Sequence, residues 1–396
     1  MKCEAMNYAW GRKGDNSFLS SILKANSIPV EQSKCYAEYW MGTHPNGPSS
    51  IYSSKTSTDI VPLSSLINKQ LPYLFKVLSI EIPLSIQLHP DKSTATQLHN
   101  KFPTIYKDAN HKPELFVAIS DTFELLFGFK PIDAAYNTVQ AYKNFFTFEE
   151  ANNFISHKSI DLYQKFIDKL LSLSKNEYEP LTKSLVEFCK NSLSNEEAES
   201  IKEEKKLLIK LQSHFGDDLG ILTALFMNHL LKKKGDSMFI SPNIPHAYIS
   251  GNCFEVMANS DNVIRLGLTP KFVDRDNFKA ILDINFSEMT FDPLKNDAND
   301  HCHTDGHDSF YHKEGFDDFV LRIIGVNSNQ KQSGFIGKES IVFVQGGDVE
   351  FSFGHETMLV KEYESVFVPN TLNDLSVCCV NGNHARLLIV SEMKKD

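Results

Sequence analysis

Hydrophobic residues alternate with polar ones in short runs over the first third of the chain. Four such runs lie between residues 74 and 129, and turn-forming or charged residues separate them: FKVLSI, SIQLHP, ELFVAIS and FELLFGF. A period of two places one face of a strand in the core, so each run predicts a short β-strand. Residues 17–25 and 92–102 instead have helical spacing and predict two short helices.

The pattern changes near Pro131. Over residues 132–232, apolar residues recur at i, i+3 and i+4 among charged ones, which is the spacing of one buried helix face. Helices are predicted over residues 134–145, 148–156, 160–173, 178–193, 195–212 and 218–231. The pattern therefore indicates a helical insert between two β regions.

Strand patterns return at Gly235 and continue to the end of the chain. Residues 236–240, 247–250, 253–259 and 263–268 predict short strands, and alternating runs with turns between them follow from Phe319. Such spacing is typical of a sandwich or barrel. The predicted fold class is mainly β with a helical insert, that is, two β-barrels plus an α-helical domain. The predicted domains are a first barrel from residues 1–131 and 233–291, the insert at 132–232 and a C-terminal barrel at 292–396.

Composition and charge exclude several classes of protein. The chain has 396 residues, 41% hydrophobic and 23% charged, as in a soluble protein of two or three domains. A formal net charge of −10 argues against general nucleic-acid binding. No run approaches the ~20 apolar residues of a membrane span. The 7 cysteines form no CxxC pair, which favours a reduced setting. We expect a cytoplasmic monomer that binds neither nucleic acid nor membrane.

Candidate chemistry begins at Gln87 and His89. Residues i and i+2 of a strand share a face, so these two side chains can aim an amide oxygen and an imidazole at one point while Ile86 and Leu88 pack behind them. Glu114, after a proline, and His246, after a Pro-Asn-Ile-Pro turn, can supply a carboxylate and a second imidazole. Two histidines, one carboxylate and one amide oxygen suit Zn²⁺, and Mn²⁺ or Fe²⁺ would also accept this set.

A denser group of histidines lies in the polar stretch of residues 292–316. His301, His303, His307 and His312 have a spacing that by itself favours metal binding. The stretch has no strand or helix pattern to fix ligand geometry, so we place the functional site elsewhere.

Long motifs give the chain a resemblance to a known family. The segments that carry it are YAWG, AEYWMGTHPNGPS, PLSIQLHPDK, DANHKPE, FELLFGF, GDSMFISPNIPHAYISG and CFEVMANSDNVIRLGLTPKF. They resemble the type I mannose-6-phosphate isomerases (phosphomannose isomerases), which are zinc enzymes of the cupin superfamily. The helical insert and the C-terminal strands match that family in placement more than in residues.

The resemblance implies a fold, an activity and a ligand set. It implies that both barrels are cupin-type jelly rolls. It also implies that the enzyme interconverts mannose 6-phosphate and fructose 6-phosphate through a cis-enediol, feeding GDP-mannose synthesis and mannose use. One Zn²⁺ per chain would be bound by Gln87, His89, Glu114 and His246, and Arg265 falls at the family's active-site arginine.

Two departures from the family pattern stand next to these positions. Leu88 and Leu266 each occupy a position where alanine is frequent, and we expect them to reshape the pocket wall.

The reaction needs a base, a partner for negative charge and a grip on phosphate. Glu255 is the first candidate for the base. Tyr248 shares a strand face with His246 and can donate to a substrate oxygen, while Lys112 and His111 flank Glu114 and can move protons or bind substrate. Three further residues complete the candidates for phosphate binding, alongside Lys112: Ser85, Lys76 and Lys271.

A rival interpretation is a cupin without this activity, either a sugar-binding or metal-storage protein or an Fe²⁺ dioxygenase. A dioxygenase would usually carry a His-x-His pair, whereas Gln87 takes the first of those positions here. A degenerate binding protein would be expected to lack a ligand or Arg265, and all are present.

Overall fold

A computed structural model of the chain describes residues 1–52, 59–193, 198–282, 308–328, 331–333, 339–372, 374–382 and 384–393. About 30% of the chain is helical and 34% is strand. Strands at both ends of the sequence enclose one run of helices, so the fold contains both types of element, with the helices between two β regions as predicted. No described helix has the length and apolarity needed to cross a membrane.

The first part of the chain consists mostly of strands, as the alternation predicts. Its elements in order are β1 (Glu4–Met6), β2 (Arg12–Lys13), a 3₁₀ turn (Gly14–Asn16), α1 (Leu19–Ala25), β3 (Cys35–Tyr36), β4 (Glu38–Gly42), β5 (Ser50–Tyr52), β6 (Ile60–Pro62), α2 (Leu63–Ile67), β7 (Tyr73–Ile80), β8 (Ile86–Leu88), α3 (Lys92–Lys101), β9 (Glu114–Ala118) and β10 (Phe123–Phe129).

Six helices follow in the described residues: α4 (Ile132–Ala141), α5 (Glu149–Ser156), α6 (Ile160–Ser172), α7 (Lys175–Ser192), α8 (Glu199–Phe215) and α9 (Leu219–Ala224). Their i, i+3, i+4 faces share one core, in which Phe154, Phe166 and Leu208 are fully buried. Residues 194–197, at the start of one predicted helix, lie outside the described part of the chain.

The last predicted helix is wrong in its second half. Helix α9 ends at Ala224, and Met227–Lys232 forms strand β11 instead. This strand pairs antiparallel with β10, with Leu230 opposite Leu125. Cross-strand pairing therefore overrides an apolar spacing that fits either type of element.

The second β region contains β12 (Ser237–Ile240), β13 (His246–Ala258), β14 (Ile264–Gly267) and helix α10 (Arg275–Ile281). The strands predicted over residues 247–250 and 253–259 form one long strand, β13. Gly251, at φ +115°, marks the point where its partners change. Residues before it pair with β10 and those after it pair with β7 and β9, so β13 connects both halves of a ten-stranded sheet.

The C-terminal part forms two further sheets. Its strands are β15 (Ser309–Tyr311), β16 (Val320–Asn327), β17 (Gln332–Ser333), β18 (Ser340–Gln345), β19 (Asp348–Phe353), β20 (Glu356–Val360), β21 (Ser365–Val368), β22 (Ser376–Asn381) and β23 (His384–Ser391). Their orders are β15-β16-β23-β18-β21 and β17-β22-β19-β20. Among the described residues, neither strand region closes into a ring of hydrogen-bonded strands.

Alternation along β7 and β13 gives each strand two different environments. Phe75, Val77, Phe254 and Val256 point to one side and pack against Phe343 of the C-terminal sheet. The residues between them point the other way, into the interior where the candidate site lies.

One partly buried carboxylate ties the helical insert to the ten-stranded sheet. Glu124 on β10 accepts hydrogen bonds from Lys210 of α8 (2.8 Å), His229 of β11 (3.0 Å) and Ser250 of β13 (2.9 Å). Although burial opposes ionisation, these donors lower the pKa of Glu124 to about 2. The charged form therefore links three elements behind the candidate site.

Candidate metal centre and active site

Strand β8 aims its polar side chains at the interior of the ten-stranded sheet. Ile86 and Leu88 are fully buried, because they pack into the core beneath the helices. The intervening Gln87 and the following His89 therefore face the opposite way, as predicted from the alternation. Leu266 packs into the same helical core as Leu88. The expectation that these two leucines reshape the pocket wall is therefore wrong.

His89, Glu114 and His246 meet at one buried point. His89 Nε2 lies 3.2 Å from Glu114 Oε1, and His246 Nε2 lies 3.3 Å from Glu114 Oε2. All three side chains are at most 3% exposed, and their candidate ligand atoms lie within 4.8 Å of one another. The residues come from β9, β13 and the end of β8, so only the folded sheet brings them together.

The unprotonated Nε2 atoms of both imidazoles face this point. His89 Nδ1 donates to the carbonyl of Asn262 (2.7 Å) and His246 Nδ1 donates to the carbonyl of Ile244 (3.0 Å). A carbonyl can only accept, so the proton of each neutral ring lies on Nδ1. Both Nε2 atoms are buried and lack a hydrogen bond among the described residues, despite the nearby carboxylate. Two unsatisfied ring nitrogens around one carboxylate fit a divalent cation.

The charge states suit metal binding as well. Burial, together with the nearby Lys112 charge, lowers the pKa of His89 to about 4, so the ring is neutral near pH 7. Burial opposes ionisation of Glu114, but Lys112 and the histidines lower its pKa well below the usual range. Neutral imidazole and ionised carboxylate are the forms that ligate a metal.

Gln87 lies between a candidate ligand and the arginine. It is paired in register with His246 on β13 and with Arg265 on β14. Its amide oxygen accepts a hydrogen bond from Ser85 at 3.1 Å, which leaves a second lone pair on that oxygen. The guanidinium of Arg265 is half-buried, and its pKa is lowered by burial. Its side chain makes no ion pair with the described residues.

A second charged cluster lies on the same interior face. Lys76 Nζ lies 3.1 Å from Glu255 Oε2 and 3.7 Å from Glu38 Oε2. Trp40 Nε1 donates to the same Glu38 oxygen, and Lys76 also lies over the Trp40 ring. Burial raises the pKa of Glu255 although the charge of Lys76 opposes this, while Glu114 adds to the rise. Glu255 is thus a carboxyl group whose proton affinity is increased beside the candidate metal centre.

Lys112 and Tyr248, two further predicted residues, interact with the carboxylates of the site. Lys112 Nζ lies 3.0 Å from Glu114 Oε1. The hydroxyl of Tyr248 is buried without a hydrogen bond among the described residues. Burial, and then the charges of Glu255 and Glu114, raise the pKa of Tyr248, so this hydroxyl remains a donor.

Two predicted substrate-binding residues, Lys271 and His111, make contacts outside the group of His89, Glu114 and His246. Lys271 lies over the ring of Tyr8, at 6.0 Å. Burial and the charge of Arg265 lower the pKa of Lys271. His111 instead contacts Asp318 of the C-terminal part at 2.7 Å and stacks on Phe316.

Sequence reasoning missed several residues of the site. Glu38 is the second carboxylate beside Lys76. Asp261 accepts hydrogen bonds from the buried His44 (3.2 Å) and from Asn46. The bond from His44 is the main cause of its lowered pKa, and the charge of Lys112 adds to it. The motif HPNG around His44 predicted only a turn, because the partner carboxylate lies more than 200 positions away.

The alternative histidine group is described only in part. His301, His303 and His307 lie outside the described residues, while His312 lies within them. Over the described ranges, the one group of histidine, cysteine and acidic side chains close enough to share a metal is His89, Glu114 and His246.

Comparison with known proteins places the chain among relatives with a common description. Residues 1–132 match the family model for the catalytic domain of type I phosphomannose isomerase. The chain is 36% identical to human mannose-6-phosphate isomerase, over 69% of this chain and 70% of the relative. It is 38% identical to the mannose-6-phosphate isomerase of Ogataea parapolymorpha, over 74% of each chain.

Solved structures agree with these relatives over nearly the whole length. The chain is similar to mannose 6-phosphate isomerase from Salmonella typhimurium bound to fructose 6-phosphate and zinc, with a TM-score of 0.79 and 25% identity. That match covers 99% of this chain and 98% of the other.

Proposed function

Because this chain belongs to the mannose-6-phosphate isomerase family, we propose that it interconverts mannose 6-phosphate and fructose 6-phosphate at the centre formed by His89, Glu114 and His246. The observation that carries the proposal is the pair of buried, unsatisfied Nε2 atoms on either side of the Glu114 carboxylate. A cation is the partner that this arrangement lacks.

The donor set favours zinc, one ion per chain. Two imidazole nitrogens and a carboxylate oxygen are common zinc ligands, and Gln87 can contribute its amide oxygen as the fourth. A zinc ion bound there would supply positive charge that polarises and orients the oxygens of the sugar. The hydrogen bond from Ser85 would fix which way the amide of Gln87 points.

Glu255 is the group best suited to move the carbon-bound proton. Isomerisation requires transfer of a proton between C2 and C1, with a cis-enediol between the two states. A carboxylate with a raised pKa is a stronger base than an ordinary glutamate. Lys76 holds the charged form in place at 3.1 Å, and Tyr248 offers a buried hydroxyl for a substrate oxygen.

Positive charge for the phosphate and the developing enediolate comes first from Arg265 and Lys271. Neither side chain makes an ion pair with the described residues, and the two lie close enough for the charge of Arg265 to lower the pKa of Lys271. Lys76 and Lys112 already pair with Glu255 and Glu114. We therefore assign these two lysines to holding the carboxylates, and Ser85 and His111 to the surroundings of the substrate.

The finer architecture follows the same family. We propose cupin-type jelly rolls for residues 1–131 with 233–291 and for residues 292–396, and a separate helical domain at 132–232. The unbroken run of helices α4–α9 supports the insert, and the separate C-terminal sheets with their own apolar cluster support the last unit. We also propose that the enzyme is cytoplasmic and monomeric. Its mass in solution would test the monomeric state.

A coupled assay tests the function directly. Protein loaded with zinc should convert mannose 6-phosphate to fructose 6-phosphate, and removal of zinc by a chelator should abolish turnover. Absence of activity in zinc-loaded protein would favour a sugar-binding or storage role instead.

A further inference from the structure

His89 and His246 are held in different ways. The Nδ1 of His246 bonds to Ile244, two residues earlier on the same turn. The Nδ1 of His89 bonds to the backbone carbonyl of Asn262, which is 173 positions away in sequence. The orientation of His89 therefore depends on how the segment of residues 259–262 is held.

That segment belongs to no helix or strand, and hydrogen bonds to the carboxylate of Asp108 hold it instead. Its Oδ2 accepts from the backbone N–H of Asp261 at 2.8 Å. Its Oδ1 accepts from Ser260 Oγ at 2.9 Å and from Asn262 Nδ2 at 3.2 Å. Three successive residues of the segment are thus bound to one carboxylate.

The side chain of Asn262 strengthens the same connection. Its amide also donates to the carbonyls of Asp108 (2.8 Å) and Asn110 (2.9 Å), and the residue is only 1% exposed. Hydrogen bonds to a charged acceptor are stronger than those between neutral groups, so Asp108 is the principal anchor.

Asp108 also belongs to the segment that leads into Glu114. Its Oδ1 accepts from the backbone N–H of Asn110, which closes a local turn, and Lys112 and Glu114 follow. One carboxylate therefore connects the chain segment carrying Glu114 with the carbonyl that orients His89.

We propose that Asp108 is a positioning residue for the metal centre, acting on His89 through the carbonyl of Asn262. The inference rests on the proposed zinc site. Partners that orient a metal-bound histidine typically change metal affinity about 10- to 100-fold when they are lost. Asp108 is not itself a ligand, because both of its carboxylate oxygens already accept hydrogen bonds from protein groups.

The test compares Asp108→Asn with Asp348→Asn. The first change replaces one carboxylate oxygen by an NH₂ group. In either orientation of the amide this group faces a backbone donor, the N–H of Asp261 or that of Asn110. Asp348 is a matched control in the C-terminal sheet, where it likewise accepts from a backbone N–H (Glu362, 2.9 Å) and a side-chain amide (Asn381, 3.4 Å). Zinc affinity is measured by chelator competition, the visible spectrum is recorded with Co²⁺, and thermal unfolding is followed on metal-free protein.

Asp108→Asn should weaken zinc binding about tenfold and shift the Co²⁺ spectrum, whereas Asp348→Asn should leave both unchanged. Asn262→Ala should also weaken zinc binding, and it is the second test variant if Asp108→Asn does not fold. Zinc affinity within about twofold of wild type in both Asp108→Asn and Asn262→Ala would overturn the inference while leaving the zinc site intact. Failure of the wild-type protein to bind zinc would overturn the proposed function itself, and the inference with it.

Discussion

Gln87 lies directly opposite Arg265 across the antiparallel pair of strands β8 and β14. A neutral amide at this position leaves the arginine charge available to the substrate. Gln87→Glu would place a carboxylate in register with the guanidinium and also reduce the net positive charge at the metal.

We expect Gln87→Glu to retain zinc and to lower kcat roughly tenfold or more, because the new carboxylate competes with the enediolate for Arg265. Steady-state kinetics with zinc analysis measures this. Gln97→Glu adds the same charge on the exposed face of α3 and should leave kcat unchanged. Equal turnover in wild type and Gln87→Glu, both with full zinc, would refute this role for the neutral ligand.

Arg265→Ala should keep both fold and zinc while reducing kcat about 10²- to 10³-fold, because a charge partner of the transition state is lost. Arg275→Ala is the control, since that guanidinium instead bonds to the carbonyl of Leu173 and lies over Tyr178. An increase in KM at constant kcat would show that Arg265 binds the ground state and the transition state equally, which would contradict a role specific to the transition state.

Lys76→Met should move the pH dependence of kcat/KM. The charge of Lys76 opposes the raised pKa of Glu255, so its removal raises that pKa further. A protonated carboxyl cannot accept a proton, and the acid limb should therefore shift to higher pH, by about one unit or more.

Lys210→Met provides the comparison for this profile, because it breaks a similar pair with Glu124 outside the pocket. An unmoved acid limb together with a raised KM would assign Lys76 to phosphate binding and remove the support for Glu255 as the base.

Local patterns predicted the parts of the site that neighbouring residues determine. The alternation through β8 correctly placed Ile86 and Leu88 in a core and His89 on the opposite face. Most helices and strands were also predicted, because each buries one regular face.

Contacts between distant segments could not be predicted in this way. The run that forms Met227–Lys232 has a spacing that fits a helix, and only pairing with β10 makes it a strand. Glu38 and Asp108 had no local signal, since their partners Lys76, Asp261 and Asn262 come from other elements. Residue chemistry suggests the set Gln87, His89, Glu114 and His246, and the motif resemblance implies the same four ligands, but spacing along the chain cannot connect them.

If His89, Glu114 and His246 hold the zinc on which isomerisation depends, turnover must follow the zinc bound at this site. The most direct measurement adds zinc stepwise to metal-free protein and records both bound zinc and turnover of mannose 6-phosphate, for wild type and His246→Ala. We predict that wild-type turnover rises in proportion to bound zinc and stops at one ion per chain, while His246→Ala gains neither. Full turnover in zinc-free wild-type protein, or in His246→Ala without zinc, would show that isomerisation does not depend on zinc at this site.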